Sequence, residues 1–410
     1  MSEISVGVIG LGQRGLALLE SMMACPECQI VAVSDLYEDR RQKGVDAVMK
    51  HRNKAPKIYA DWKELIYDPQ VQAVVISCDW EMHIPMAIEA MHAHKIVASE
   101  VAGAYSVEDC WKLVDAYEET KTPIMLLENC CFDEFELLTT SLVRHGLLGD
   151  ILYAHGCYGH DLRGEITGGN VNRHYRLRNY EHRNAENYPT HELGPIAKIL
   201  NINRGNRFLR LASNGTRPGV GLEAYTKDKR CIDPTLTHQS FAQSDIVSTT
   251  LITEQQQVVT IRLDTSLPRF YAREFTIRGT KGLAQGDQNL VCLDGDIPEI
   301  YETNKFYAKM LNNADAYKEK YECDIWKNIT PAQRELGHGG MDYIEFRVFF
   351  DCILNHKPLP IDVYDMATWM AVTPLSTLSM ERGGEPVEVP DFTRGKYRER
   401  EAQDVVALPK

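Results

Sequence analysis

Residues 10–15 read Gly-Leu-Gly-Gln-Arg-Gly, and they follow directly on the apolar run Ser5–Ile9. A strand that ends in G-x-G-x-x-G and opens a helix constrains a fold strongly. Its backbone must turn sharply, come close to a ligand and pack a helix tightly on the strand. Asp35 stands 20 residues after Gly15, at the end of the next apolar run, Ile30–Val33. In this setting Gly10, Gly12 and Gly15 predict a pyrophosphate cradle at a helix N-terminus. Asp35 predicts a carboxylate for ribose hydroxyls. A carboxylate there repels a 2′-phosphate, so NAD is expected rather than NADP, with Arg40 and Arg41 nearby as the opposing signal.

The rhythm continues. Apolar runs at Ala73–Ser77, Lys95–Ala98 and Ile124–Leu127 alternate with helical patterns at Gly15–Met23, Met86–His94 and Val107–Glu119. Strand and helix in alternation predict a parallel, doubly wound Rossmann sheet. After about Asn129, runs rich in β-branched residues succeed one another: Ile151–Cys157, Phe208–Ser213, Ile246–Thr253, Gln257–Asp264 and Glu274–Arg278. They predict an α+β domain with a large, mostly antiparallel open sheet. Helices are expected at Ala185–Asn201 and Gly340–Asn355, and a long loop at Arg163–Arg183. The expected division is residues 1–128 for NAD and 129–410 for substrate and oligomerisation. A chain of 410 residues can bury two such cores.

Composition narrows the partners. With a net charge of −13, the surface disfavours nucleic acid and anionic membranes. No apolar run reaches the roughly 20 residues of a membrane span. The eleven scattered cysteines suit reduced thiols, and Cys25-Pro-Glu-Cys28 has no second pair to complete a metal set, so no metal is expected. The first residues run straight into a strand with no leader pattern, which predicts a cytoplasmic chain as given.

Other segments fall where ligands gather in such folds, beyond the carboxyl ends of strands. Trp80 and His83 lie after Ala73–Ser77, and Glu100-Val101 after Lys95–Ala98. Asn187-Tyr-Pro-Thr-His-Glu-Leu-Gly-Pro195 sets Tyr188 and His191 three apart, on one face of a helical turn. A polar helix start explains that pair as well as an active site does. Glu128 and Asp161 are candidates for a pair of carboxylates in acid–base work.

The N-terminal part resembles the Gfo/Idh/MocA oxidoreductases. Where that group has Glu-Lys-Pro, this chain has Ser99-Glu100-Val101-Ala102-Gly103, without the lysine that assists proton transfer at the oxidised carbon. The Glu-Val pattern is similar to glycoside hydrolase family 109. So are Leu127-Glu-Asn-Cys130, Cys157-Tyr-Gly-His-Asp-Leu-Arg163, Tyr188-Pro-Thr-His191, Leu267-Pro-Arg-Phe-Tyr271 and Gly337-His-Gly-Gly-Met-Asp342. The resemblance implies a glycosidase with tightly held, recycled NAD, acting on N-acetylgalactosaminides or related hexosides. Its implied cycle is C3 oxidation, C2 deprotonation, loss of the C1 substituent, water addition and re-reduction. Cofactor contacts are implied at Gln13, Arg14, Asp35, Trp80, His83, Glu100, Val101, Glu128, Asn129 and Tyr188. Sugar contacts are implied at Tyr158, His160, Arg176, Tyr188, His191 and Tyr271. Among these, His191 and Tyr188 are assigned to O3 and the enolate, and Tyr158 or Tyr271 to the C2 proton. The alternative is an NAD-dependent sugar 3-dehydrogenase. A glycoside is thus the expected partner, with a homo-oligomer, dimer or tetramer, built through the second domain.

Overall fold

The computed structural model describes residues 3–296 and 303–409. Contacts divide the chain into two compact units. The first comprises residues 1–133, Cys323–Ala367 and Asp404–Ala407, and the second Glu134–Glu322, Thr368–Gln403 and the last residues. The sequence reading cuts the chain once, at 128/129. The contacts cut near there, but they also return residues 323–367 to the first unit.

The first unit is built on strands β1 (Ile4–Ile9), β2 (Cys28–Ser34), β3 (Lys57–Tyr59), β4 (Ala73–Ile76), β5 (Ile96–Glu100) and β6 (Ile124–Leu127), in the order β3-β2-β1-β4-β5-β6. Every pairing is parallel. Central strands such as Ala73–Ile76 are buried at every residue, as expected when helices cover both faces. The short strand β3 and the helix Glu38–His51 were not foreseen. Both are mostly exposed, and that helix is too polar to show a clear period.

Strand order reverses between β1 and β4, so the loops after them diverge and leave a crevice at their carboxyl ends. The segment 323–367 packs on this unit through real bonds. Leu126 N donates to Ile361 O (3.1 Å), Trp326 Nε1 to Phe132 O (2.9 Å) and Tyr364 Oη to Glu118 (2.8 Å). Its main helix, Met341–Leu354, lies on the helix Gln13–Met23 and on the turn Asn129–Phe132.

The second unit is an eight-stranded sheet: β7 (Ile151–Gly159), β8 (Phe208–Gly215), β9 (Ile246–Thr253), β10 (Val258–Asp264), β11 (Thr276–Gly279), β12 (Gly282–Gln285), β13 (Leu290–Leu293) and β14 (Val387–Glu388). The order is β13-β12-β11-β7-β10-β9-β8-β14, antiparallel except where β7 meets β10. Burial alternates along β9 and β10, the signature of one covered face. On β7 the covered face carries Ala154, Gly156 and Tyr158, beneath the helix Thr190–Ile199. The helix sits so close that a Cβ on Gly156 would lie 2.7 Å from Glu192 Cβ.

The expected loop at Arg163–Arg183 is instead three short helices, Arg163–Thr167, Gly169–Asn172 and Arg176–His182. Single turns this short show no period in sequence. Each is fastened by side chains, among them Thr167 Oγ1 to Arg163 O (2.7 Å) and Tyr180 Oη with Thr265 Oγ1 (2.6 Å). Among the described residues no helix is long and apolar enough to cross a membrane.

Candidate active site

The glycine loop of the first unit has the close approaches its sequence predicts. Gly10 takes φ +91, and a Cβ there would lie 2.5 Å from the Ser77 carbonyl. A Cβ on Gly15 would lie 2.0 Å from Gly10 O. Gly12 stands at the cap of the helix that begins at Gln13, whose side chain is exposed, and as a glycine it offers the first turn no side-chain cap. Ser77 Oγ closes the corner by donating to Gly10 O (2.8 Å).

Asp35 is buried and pre-set. Its Oδ2 accepts from Leu11 N (2.7 Å) and its Oδ1 from Tyr37 N (2.9 Å). Arg41 donates to the carbonyls of Asp35 (2.8 Å) and Leu36 (3.1 Å), and Arg40 lies over the Tyr37 ring. Both arginines that spoke for a 2′-phosphate thus have local contacts. A buried carboxylate, an uncapped helix start and glycines that admit a backbone at van der Waals range together fit an NAD dinucleotide.

Trp80 and His83 begin the helix Trp80–His92 and are buried. His83 Nε2 lies 3.3 Å from Cys78 O, and burial lowers its pKa, so the ring is neutral. Glu100 ends β5. Its Oε1 accepts from Arg14 Nε (2.5 Å) and its Oε2 from the Val101 amide (3.0 Å). Glu128 caps the turn Asn129–Phe132 by accepting from Cys130 N (3.1 Å), and Asn129 Nδ2 donates to Asp342 Oδ1 (2.8 Å).

Asp342 was not read as a site residue, nor were His338 and Glu345. Asp342 has no exposed surface. Burial alone would raise its pKa, but hydrogen bonds from His338 and Arg14 win and hold it well below the usual carboxylate range. Glu345, one turn on, is fully buried, and among the described residues neither carboxyl oxygen finds a hydrogen-bond partner. Burial, then the charges of Asp342 and Glu100, raise it far above its ordinary value, so it keeps its proton. The available signal was two acids at i, i+3 inside the apolar stretch 341–354, directly after the glycines 337, 339 and 340.

The second unit gathers every predicted sugar residue into one cluster. Tyr158 projects from the covered face of β7. Its ring centre lies 4.6 Å from that of Tyr188 and 5.4 Å from that of His191. Tyr188 and His191 are 4.9 Å apart, edge to face. His160 Nδ1 lies 3.4 Å from Tyr158 Oη, and the His160 ring is 5.3 Å from that of Tyr271. The Arg176 guanidinium sits over the Tyr188 ring at 5.0 Å, with its Nε 2.9 Å from Glu165.

Local sequence explains the placement. Tyr188 stands just ahead of the helix Thr190–Ile199, with Pro189 at the cap, where a missing N–H costs nothing. Gly194 and Pro195 lie within the helix, so they do not mark its start. The preceding strap is fastened by Glu186 N to Ser376 Oγ (2.8 Å), Thr373 Oγ1 to Glu186 O (2.7 Å) and Asn187 Nδ2 to Gln243 Oε1 (3.0 Å). Tyr271 is brought in by the antiparallel bridge from Ala272 to Gly159. Arg269 fills the space where a Gly159 Cβ would be and donates to Asp264 (2.5 Å) and Glu274 (3.2 Å).

Electrostatics separate the roles. Burial pushes the Tyr158 phenol up to about 12, with the positive charge of Arg176 pulling the other way. Burial and then Arg176 lower His160, which is therefore neutral. Asp161 is held low by its hydrogen bonds from Arg163, with Arg163 Nε to Oδ1 at 2.8 Å, so it is a poor proton donor. Two acids missed in sequence flank the strap, Glu186 and Glu192, both buried. Burial raises Glu186 to about 8.

Comparison with known proteins finds two family matches. Residues 133–399 match the glycosyl hydrolase 109 C-terminal domain, and residues 4–127 match the oxidoreductase family NAD-binding Rossmann fold. A glycosyl hydrolase family 109 protein of Stenotrophomonas maltophilia (strain K279a) is 34% identical, over 97% of this chain and 91% of its own. The alpha-N-acetylgalactosaminidase of Tannerella forsythia is also 34% identical, over 96% and 87%. In fold the chain is similar to a levoglucosan dehydrogenase solved with NADH and levoglucosan, at TM-score 0.70 and 18% identity, covering 95% of this chain and 100% of that one. With near full-length identity of this order behind both domain matches, the chain belongs to glycosyl hydrolase family 109, with an NAD-binding Rossmann domain at its N-terminus.

Proposed function

We propose that the protein is a glycosidase that keeps and recycles NAD, acting on N-acetylgalactosaminides or related hexosides. The observation that carries the reading is the cluster of Tyr158, Tyr188, His191 and Arg176, a set rich in proton-moving groups with one fixed cation. When bound, NAD supplies a reversible hydride acceptor for C3 of the sugar. Gly10, Gly12, Gln13, Arg14, Gly15, Asp35, Trp80, His83, Glu100, Val101, Glu128, Asn129 and Tyr188 are the residues proposed to hold it.

The rest falls to the cluster. His191 and Tyr188 take the proton from O3 and hold the enolate oxygen. Tyr158 or Tyr271 removes the C2 proton, after which the C1 substituent leaves and water adds at C1. Arg176 favours Tyr158 for this step, because a cation beside a buried phenol stabilises the phenolate. Tyr271 is about half exposed and suits a sugar contact at the rim, with His160 beside it.

Aryl glycosides with and without a 2-acetamido group, of both anomers, test the substrate. In deuterium oxide the released sugar should carry deuterium at C2, and bound NAD should be reduced transiently. Cleavage without C2 exchange sinks the mechanism. Stoichiometric release of NADH with an oxidised sugar would point instead to a sugar 3-dehydrogenase. A dimer or tetramer through the second unit belongs to the same reading, and light scattering that finds only monomer would break that part.

A further inference from the structure

Arg14 occupies one of the three variable positions of the glycine loop, where a free guanidinium would meet the pyrophosphate. Most of its donors are spent elsewhere. Nε donates to Glu100 Oε1 at 2.5 Å. NH1 and NH2 donate to the two oxygens of Asp342, at 2.5 Å and 3.1 Å, and His338 Nδ1 lies 3.1 Å from NH1. Three of the five N–H groups of an arginine are thus fixed on carboxylates in the fork geometry that suits them.

Asp342 is the hub of this arrangement. It takes both terminal nitrogens of Arg14, the Asn129 amide and the approach of His338, and is itself without exposed surface. The loop before it is folded tightly enough that a Cβ on Gly337 would lie 2.2 Å from Asp342 Oδ2. Through Arg14 the same carboxylate reaches Glu100, whose other oxygen is held by the Val101 amide.

We propose that Asp342 is a positioning residue for the dinucleotide site. It locks Arg14, and Arg14 in turn sets both the glycine loop and Glu100 before the cofactor arrives. The anion is then met by backbone N–H groups at the start of the helix Gln13–Met23, not by the Arg14 charge. A loop ordered in advance loses less freedom on binding, so the lock appears as cofactor affinity. This rests on the reading that the first unit binds NAD.

The test is NAD+ affinity of the full-length protein stripped of cofactor, by calorimetry, with circular dichroism melting of the same samples. Wild type, Asp342→Asn, Arg14→Gln and the double variant are compared. Each single change should raise Kd by about tenfold or more, the scale of a hydrogen bond to a charged group. The double variant should be no weaker than the weaker single, because both act through one link. A folded Asp342→Asn protein with unchanged Kd overturns the proposal, as does tighter binding, which would mean Arg14 is a phosphate ligand that Asp342 holds back. Additive losses overturn it too. If wild type itself takes up no NAD+, the reading of the unit as an NAD site fails first; if only the variants behave as wild type, that reading stands and this one falls.

Discussion

The two site regions solve different problems with different materials. In the first unit, charge is met by charge: Arg14 is locked between Glu100 and Asp342, and glycines bring backbone close. In the second, the cluster is five aromatic or imidazole side chains with one arginine over the Tyr188 ring, and His160 is held neutral. Fixed ion pairs suit a permanent, multiply charged occupant. Rings and hydroxyls suit a neutral one that must come, exchange protons and leave. The contrast predicts that damage in one region spares the readout of the other.

The largest break is expected at His191. His191→Ala should cut turnover by about 10²–10⁴-fold, the usual worth of a positioned acid–base, while bound NAD measured by absorbance stays at the wild-type level. Loss of NAD together with activity would erase the distinction. The converse change is Gly15→Ala. Its Cβ would meet Gly10 O at 2.0 Å, so the purified protein should lack NAD while the second unit keeps its near-ultraviolet circular dichroism.

A finer test separates the tyrosines. Arg176→Met removes the charge that opposes burial at Tyr158, so the phenol should be pushed further up. Turnover should fall about tenfold or more, by the scale of a lost charged hydrogen bond, and any alkaline rise in rate should move to higher pH. The same change should leave a Tyr158→Phe enzyme almost unaffected; if both backgrounds lose equally, Arg176 works on the sugar instead.

The smallest effect concerns stability. Glu186 keeps its proton up to about 8 in the folded state but titrates near 4.3 when unfolded. Between those values the folded state binds more protons, so stability falls as pH rises through that window. Glu186→Gln should flatten the decline in Tm between pH 5 and about 8, as read by calorimetry. An unchanged slope would remove Glu186 as its source.

Much of the fold was legible because its signals are local. The runs Ile124–Leu127 and Ile246–Thr253 match observed strands end for end, since short apolar or β-branched runs between turns carry their own boundaries. Gly10, Gly15 and Asp35 were legible for the same reason, as one strand, one turn and the next strand. The helices within 163–183 were not, because single turns have no period to read. Asp342 was missed for a different reason. Its meaning depends on Arg14, 328 residues away, and no spacing rule spans that distance. Glu186 and Glu192 looked like ordinary polar flanks of a helix start until the sheet buried them.

The return of residues 323–367 to the first unit has a consequence in time. A nascent chain that has released all six strands of the parallel sheet still lacks the helix Met341–Leu354 and its aspartate. At about 5–20 residues per second, the ribosome needs on the order of tens of seconds more to deliver them. The glycine loop therefore waits, assembled but unlatched, while strands β7 to β13 of the second sheet are made, and the cradle reaches its finished form only as synthesis nears its end.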